Sequence, residues 1–418
     1  MQNSTPYTVV VNAAVISSEG GVRLLTPLLA QLKKTIAKSL VNSPRQPCKI
    51  VLYLNPKLVS RLQSELDSST QECLTFIPYR PPNMLIRFLW EQCVLPFSVK
   101  KHQANLLFSF ANTGPIFPGC RQILYLQQSL PYTSFLPQRK RFRRRLFKWL
   151  YYWQIALTQL GSSRIVVPTP WLIDPLRRSV GYLKPEATYV ASLPGPIPQF
   201  EKSTASSEVQ AEPSDKKLLD QLQEYRNARV QLLLYPCFLA PYKNIPFLLD
   251  AIEHLARQSS IPFKLLLTFD QSTPEYFPCK TEIFSRYSQL SQEVQDRIVF
   301  MGTLAPQSMS AVYQLATLLV FPSLVETLGV PLLEALHHKL PVVALQSEKP
   351  NATEAAFAQA VCGDAAVYVP PEMPETLAET IAELLQNPSR LEQLGQLGAE
   401  RMGMLHWDKH LRDCIAGS

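Results

Sequence analysis

The chain has 418 residues, 46% hydrophobic and 18% charged, with a net charge of +8 and a pI near 9.0. That length exceeds what one core fills and predicts two domains, and the composition excludes a disordered chain. The positive balance asks for an anionic partner: a nucleotide, an anionic lipid surface or a nucleic acid.

From residue 1 to about 198, short apolar runs alternate with longer helical stretches. The runs are Thr8–Asn12, Lys49–Leu54, Leu74–Ile77, Leu106–Phe110, Ile123–Leu126, Arg164–Pro168 and Thr188–Ala191. They are continuous rather than alternating and are bounded by Pro, Gly or Asn. That pattern predicts strands covered on both faces, in a parallel α/β sheet. Polar sequence without periodicity follows from Phe200 to Lys217 and reads as a linker (199–225), with a short helix over Leu218–Asn227. The alternation then resumes with runs at Val230–Tyr235, Lys264–Phe269, Arg297–Met301, Leu318–Phe321, Pro341–Leu345 and Ala366–Val369. Helices fall between them, as at Ile245–Arg257 and Pro306–Leu315. The boundaries expected are a first domain over 1–198, a second over 226–391 and a C-terminal helical segment over 392–418.

Eight scattered cysteines show no C-x-x-C pair and no zinc spacing with histidine, and the six histidines are equally dispersed. Free thiols in a reducing cytosol and no protein-held metal are the expectation. Residues 1–6 are polar and Tyr7–Val11 is too short for a signal h-region. The sequence holds no apolar run long enough to span a bilayer.

The segment Phe321-Pro-Ser-Leu-Val-Glu326-Thr327-Leu328-Gly329-Val330-Pro331-Leu-Leu-Glu334 carries the most chemistry. A buried strand turns a polar corner, and a glycine and a proline then open a helix. Proline suits the first turn because its missing N–H would be unpaired there. The free N–H groups near Gly329 and Val330 form an anion site. Two flanking carboxylates, Glu326 and Glu334, are poor company for a bare phosphate. They suit a ligand that offers phosphates and hydroxyls together, as a sugar nucleotide does.

This spacing resembles the E-x7-E signature of the retaining glycosyltransferases of family 4. Ile298-Val-Phe-Met-Gly302-Thr303, Leu340–Ala344 and Gly363–Pro370 resemble the neighbouring strands of that family, so the match covers the C-terminal half in order. The resemblance implies the GT-B fold, two Rossmann-like parallel-sheet domains facing a central cleft, with the C-terminal helix crossing back to the first domain. It implies a donor site for a nucleotide diphosphate sugar, with no other cofactor. Glu334 takes the role on the ribose hydroxyls, and Glu326 lies by the transferred sugar. Lys243, followed by Asn244 before a helix, takes the role on the diphosphate as a compact point charge. Gly20 and Gly21, after the first strand, take the role of the glycine loop that faces the donor phosphates. Gly302, Thr303, Thr327, Leu328, Gly329 and Val330 complete the donor site.

Two departures stand out. The arginine that family members often carry about six residues before the lysine is replaced by Cys237 and Phe238. The histidine often found after the fifth strand is replaced by Gln127-Gln128-Ser129, and glutamine cannot act as a general base. A front-face retaining transfer, in which the leaving phosphate takes the acceptor proton, does not need that base. The expected function is transfer of a hexose-type sugar to a hydroxyl of a polysaccharide, lipid-linked or lipid acceptor. The alternative is a catalytically silent sugar-nucleotide binder.

Six of the seven residues from Arg139 to Arg145 are basic, and an aromatic-rich stretch runs on to Trp153. Residues 139–153 suit a helix on an anionic membrane interface, which would place the protein on the inner face of a membrane. A solvated basic helix face and a nucleic-acid patch are the competing readings. Val166–Trp171 and Pro194–Pro198 read as scaffold. His337 and His338 read as an exposed helix end. At Lys339, family members usually have glycine.

Overall fold

A computed structural model describes residues 6–16, 19–39, 48–110, 112–133, 141–180, 188–195, 213–275, 278–346 and 356–415. At residues 19–20, 37–39, 141–145, 188 and 213–214 only the backbone is described. Two compact units emerge. The first draws its residues from within Met1–Thr133, Phe142–Gly195 and Leu405–Ser418, and nearly all of the second lies within Pro196–Met404.

The first unit holds seven strands: β1 (Tyr7–Ala13), β2 (Cys48–Leu54), β3 (Leu74–Pro78), β4 (Leu106–Ser109), β5 (Arg121–Tyr125), β6 (Arg164–Val167) and β7 (Thr188–Ala191). They pair in parallel in the order β3-β2-β1-β4-β5-β6-β7. The second unit holds six: β8 (Gln231–Tyr235), β9 (Phe263–Leu267), β10 (Ile298–Phe300), β11 (Leu318–Phe321), β12 (Val342–Leu345) and β13 (Ala366–Val369). Their order is β10-β9-β8-β11-β12-β13, again all parallel. Each of the thirteen apolar runs forms a strand, with ends displaced by at most two residues. Val9–Val11, Leu232–Tyr235 and Leu318–Phe321 are buried throughout, as helices packed on both sheet faces require.

The order matters for function. In each sheet the chain leaves the first strand in one direction and later returns to build outward in the other. The reversal falls between β1 and β4 in the first unit and between β8 and β11 in the second. In open α/β sheets, ligands settle at such switch points, beyond the carboxyl ends of the strands.

Four local features differ from the sequence reading. The two glycines after β1 are not in a loop: Gly20 and Gly21 belong to the first turn of the helix Glu19–Ser39, while Ser17 and Ser18 lie outside the described residues. The linker is shorter, because residues 213–225 fall in the helix Pro213–Asn227. Leu222 of that helix is buried, and Asp215 accepts the backbone N–H of Ala305 at 3.2 Å, just ahead of the helix Pro306–Leu315. The rest of the linker, to residue 212, lies outside the described residues.

The C-terminal segment is two helices rather than one. Pro388–Gly403 stays in the second unit, and Trp407–Ile415 joins the first. There Arg121 and Arg164 donate to the carbonyls of Ile415 and Asp413 at 2.6 Å, and His410 sits between Tyr125 and Ser192.

His338 is the fourth. It is half-buried, stacked on Tyr313 with ring centroids 5.4 Å apart, and not an exposed helix end. Lys339 has φ +55°, the left-handed position just past the helix end where glycine is the usual choice. That backbone accounts for a glycine at this position, and nothing in the structure explains the lysine. Among the described residues no group of side chains has metal-site geometry, and no helix is long and apolar enough to cross a membrane.

Candidate donor-binding site in the second unit

The site is built on the two strands that flank the switch point. After β8 the chain runs through Cys237 and Phe238 into a short turn at Pro241–Lys243. Asn244 then takes a left-handed conformation (φ +56°), one that asparagine tolerates better than most residues. The helix Ile245–Gln258 starts there, with Pro246 in its first turn.

After β11 the chain turns at Pro322–Ser323, passes Glu326, and reaches Gly329 at φ +75°. Gly329 caps the helix Val330–His337. A side chain there would be strained by the backbone and pressed to 3.0 Å from Leu332 Cδ1.

The two loops are stitched together from within. Tyr235, at the end of β8, is fully buried, and its hydroxyl donates to the Lys243 carbonyl at 2.8 Å. A phenol has one proton to give, so the 2.8 Å bond to Ser323 is donated by the serine hydroxyl. The backbone N–H of Leu324 closes the seam on the Tyr242 carbonyl at 2.8 Å. The Lys243 and Glu326 side chains meet in an ion pair. The lysine is buried, only 3% exposed, and its Nζ lies 4.9 Å from the Phe238 ring centre and 5.7 Å from that of Phe321. Those ring faces favour a cation. Glu326 keeps partial access to solvent.

Glu334 is the fifth residue of its helix and turns inward, where the Tyr313 hydroxyl donates to it at 2.5 Å. The same tyrosine carries His338 on its ring, and the His338 Nε2 lies 3.4 Å from Ser310 Oγ. Burial, reinforced by the neighbouring His337, pushes His338 down to about 4, so it is neutral near pH 7. Burial also pushes the Cys237 thiol up, so the residue standing where an arginine is common brings no charge to the site.

Gly302 and Thr303 follow β10, two strands from β8. Gly302 has φ +68°, and an added Cβ would stand 3.0 Å from Asp270 Oδ2. Asp270 itself accepts from Ser272 and Thr273, and those bonds hold its carboxyl below the usual range, the Ser272 hydroxyl contributing most.

The structure therefore brings Lys243, Glu326 and the Gly329–Val330 helix start to adjacent strand ends, with Glu334 one turn farther in. Gly20 and Gly21 belong to the other unit. Sequence reasoning missed Tyr235, Ser323 and Tyr313. The two tyrosines sit in runs whose period reads as core, Ser323 sits in the polar corner, and only the fold shows what each hydroxyl holds.

The chain resembles known proteins in sequence and in fold. Residues 231–387 match the family described as "Glycosyl transferases group 1". The chain is 25% identical over 195 residues to the O-antigen chain mannosyltransferase B of Escherichia coli, an alignment that covers 47% of each chain. It is 28% identical over 172 residues to the D-inositol 3-phosphate glycosyltransferase of Corynebacterium efficiens, covering 40% of this chain and 38% of that one. The chain thus spans less than half the length of the curated relatives it matches. In structure it resembles HepE of Anabaena, solved in complex with UDP and glucose, with a TM-score of 0.66 at 12% identity over 98% of this chain and 99% of that one. Residues 231–387 are thus similar to the group 1 glycosyl transferases, and the whole chain carries the GT-B fold.

Proposed function

We propose that this protein transfers a hexose-type sugar from a nucleotide diphosphate sugar to a hydroxyl acceptor, with retention of anomeric configuration and without a bound metal. The observation that carries the proposal is the meeting of Lys243, Glu326 and the Gly329 helix start at the switch point between β8 and β11. One ammonium and a row of backbone N–H groups suit a diphosphate whose charge grows as the sugar leaves. Contacts that strengthen in that way lower the barrier instead of merely tightening binding.

In the structure Glu326 is the counterion of Lys243. An incoming diphosphate replaces it as the lysine's partner and releases the carboxylate to the sugar hydroxyls and the developing oxocarbenium charge. The bond from the anomeric carbon to the phosphate oxygen breaks, and the acceptor oxygen bonds on the same face. Its proton passes to the departing phosphate, so Gln127 is not asked to act as a base. Glu334, fixed by Tyr313, takes the ribose hydroxyls. The acceptor is a polysaccharide or lipid-linked hydroxyl, and the protein works in the cytoplasm at the inner face of a membrane.

The test is turnover of a panel of UDP-, GDP- and ADP-sugars, with the product anomer read by NMR. Retained configuration in the wild type, and loss of turnover with retained nucleotide binding in Glu326→Gln, is the expected result. Inverted product would overturn the mechanism. Nucleotide binding without turnover of any donor, hydrolysis included, would favour a silent binder.

A further inference from the structure

Charge and exposed apolar surface in this chain are concentrated in the same quarter of the sequence. Between Glu72 and Asp174 there are thirteen Lys and Arg and a single acid, Glu91. That stretch therefore carries +12, and the remainder of the chain is net acidic, since the whole is +8. The lone acid does not reach the surface. Glu91 is 1% exposed and takes Arg87 Nε at 3.1 Å, Thr113 Oγ1 at 2.8 Å and Gln154 Nε2 at 3.2 Å.

Of the fourteen large hydrophobic side chains that stand exposed among the described residues, eleven fall between Leu85 and Trp153. Ten of them occupy two helical segments of the first unit, and the eleventh, Phe117, stands in the loop after β4. One runs from Met84 to Lys101, with a π-helical turn at Trp90–Val94 in the middle, and the other is the helix Arg141–Gly161.

The inward faces of both segments converge on Glu91, through Arg87 over the Tyr151 ring at 5.8 Å and through Gln154. Helical periodicity then turns Leu85 and Leu89 away from Arg87, and Trp149 and Trp153 away from Tyr151. Leu85 and Phe97 are each 68% exposed and Trp149 is 56% exposed. The loop after β4 joins them: Gln92 ties down Gly114 and Ile116, and Phe117 beyond is 83% exposed. Lys100 and Lys101 are exposed at the end of the first segment, and Arg80 is exposed just before its start. The side chains of Arg141–Arg145 lie outside the described residues.

We propose that the Met84–Lys101 segment and the Trp149–Trp153 face together form a docking surface for an anionic phospholipid bilayer, with Leu85, Leu89 and Phe97 as its inserting residues. The sequence alone points only to residues 139–153. The partner is a bilayer because the surface combines apolar and aromatic side chains with basic residues and lacks any exposed acid, which suits the boundary between headgroups and acyl chains. Each basic residue near such a surface adds about fivefold to partitioning. Docking rests on the transfer reading only for the source of the acceptor, and it is tested apart from it.

The full chain is sedimented with vesicles of phosphatidylcholine, and of phosphatidylcholine with phosphatidylglycerol, while tryptophan fluorescence is recorded. The wild type is expected to sediment with the anionic vesicles, with a blue shift from Trp149 and Trp153. Leu85→Ser/Leu89→Ser/Phe97→Ser is expected to lower partitioning at least about tenfold, with nucleotide binding unchanged as evidence of an intact fold. Equal partitioning of the triple variant would overturn the proposal, as would sedimentation with neither vesicle. A wild-type dimer that the triple variant dissociates, or salt-steep RNA retention that it leaves intact in a chain that ignores vesicles, would likewise overturn it. Failure of nucleotide binding with vesicle binding intact would overturn the transfer reading alone.

Discussion

Removing the ammonium of Lys243 tests whether the pair with Glu326 is as tightly held as the structure shows. Lys243→Met keeps the length and packing of the stem against Phe238 and Phe321 and removes only the charge. Breaking a fully buried pair from one side costs about 3–5 kcal/mol, because the remaining charge is stranded. Glu326 keeps 17% of its side chain in water, so part of that cost is relieved. The expected destabilisation is about 2–3 kcal/mol, or roughly 5–10 °C in melting temperature for a unit of this size. Glu326→Gln strands the lysine instead, with an amide still able to accept from it, and should cost about 1–2 kcal/mol.

The double variant strands neither charge. Its loss should fall short of the sum of the two single losses by at least about 1 kcal/mol. Thermal unfolding of all four proteins by far-UV circular dichroism closes the cycle. Strictly additive losses would mean that the two side chains do not interact, and the counterion-exchange step would fall with them.

Three further outcomes follow. Gly329→Ala forces a Cβ into a left-handed backbone and against Leu332, and should cost about 1–2 kcal/mol in urea unfolding and weaken nucleotide binding; an unchanged midpoint would count against the cap geometry. Tyr313→Phe removes the donor to the buried Glu334 and should lower nucleotide affinity by about tenfold, read by calorimetry, with the fold retained; unchanged affinity would remove Glu334 from the ribose. His410 is held neutral by burial, pushed down to about 4 from 6.5. A lowered histidine contributes fully above pH 6.5, and that contribution is lost as pH falls toward 4, where the folded state must also take the proton. The loss amounts to about 3 kcal/mol, and His410→Gln should flatten the pH dependence of unfolding over that window.

The strands were legible because a parallel sheet covered on both faces demands uninterrupted apolar runs, and those runs stand out against polar turns. Glu326, Gly329 and Glu334 were legible because a strand, a polar corner and a proline-started helix follow one another locally. What a single sequence hides is pairing across distance. Nothing in Lys243 or Glu326 alone announces that they meet, since 83 residues separate them and the meeting depends on β8 lying beside β11.

Gly20 and Gly21 were misplaced because glycine suggests a loop, and here the helix starts one residue earlier, at Glu19. The helix Pro213–Asn227 was partly hidden because its charged residues mask the one leucine that seats it, Leu222. The exposed face of Met84–Phe97 was hidden for the opposite reason. Its leucines and phenylalanines have the composition of a core helix, and only the fold shows which of them face outward.

The most direct test of the donor site is calorimetric and thermal-shift binding of UDP, GDP, ADP and their sugar conjugates to the full chain and to Lys243→Met. One nucleotide, at about a hundredfold its dissociation constant, should stabilise the wild type by roughly 2.7 kcal/mol. The variant should lose most of that stabilisation. Binding of equal strength in wild type and variant, or binding of no nucleotide at all, would contradict the assignment of the β8–β11 switch point as the donor site.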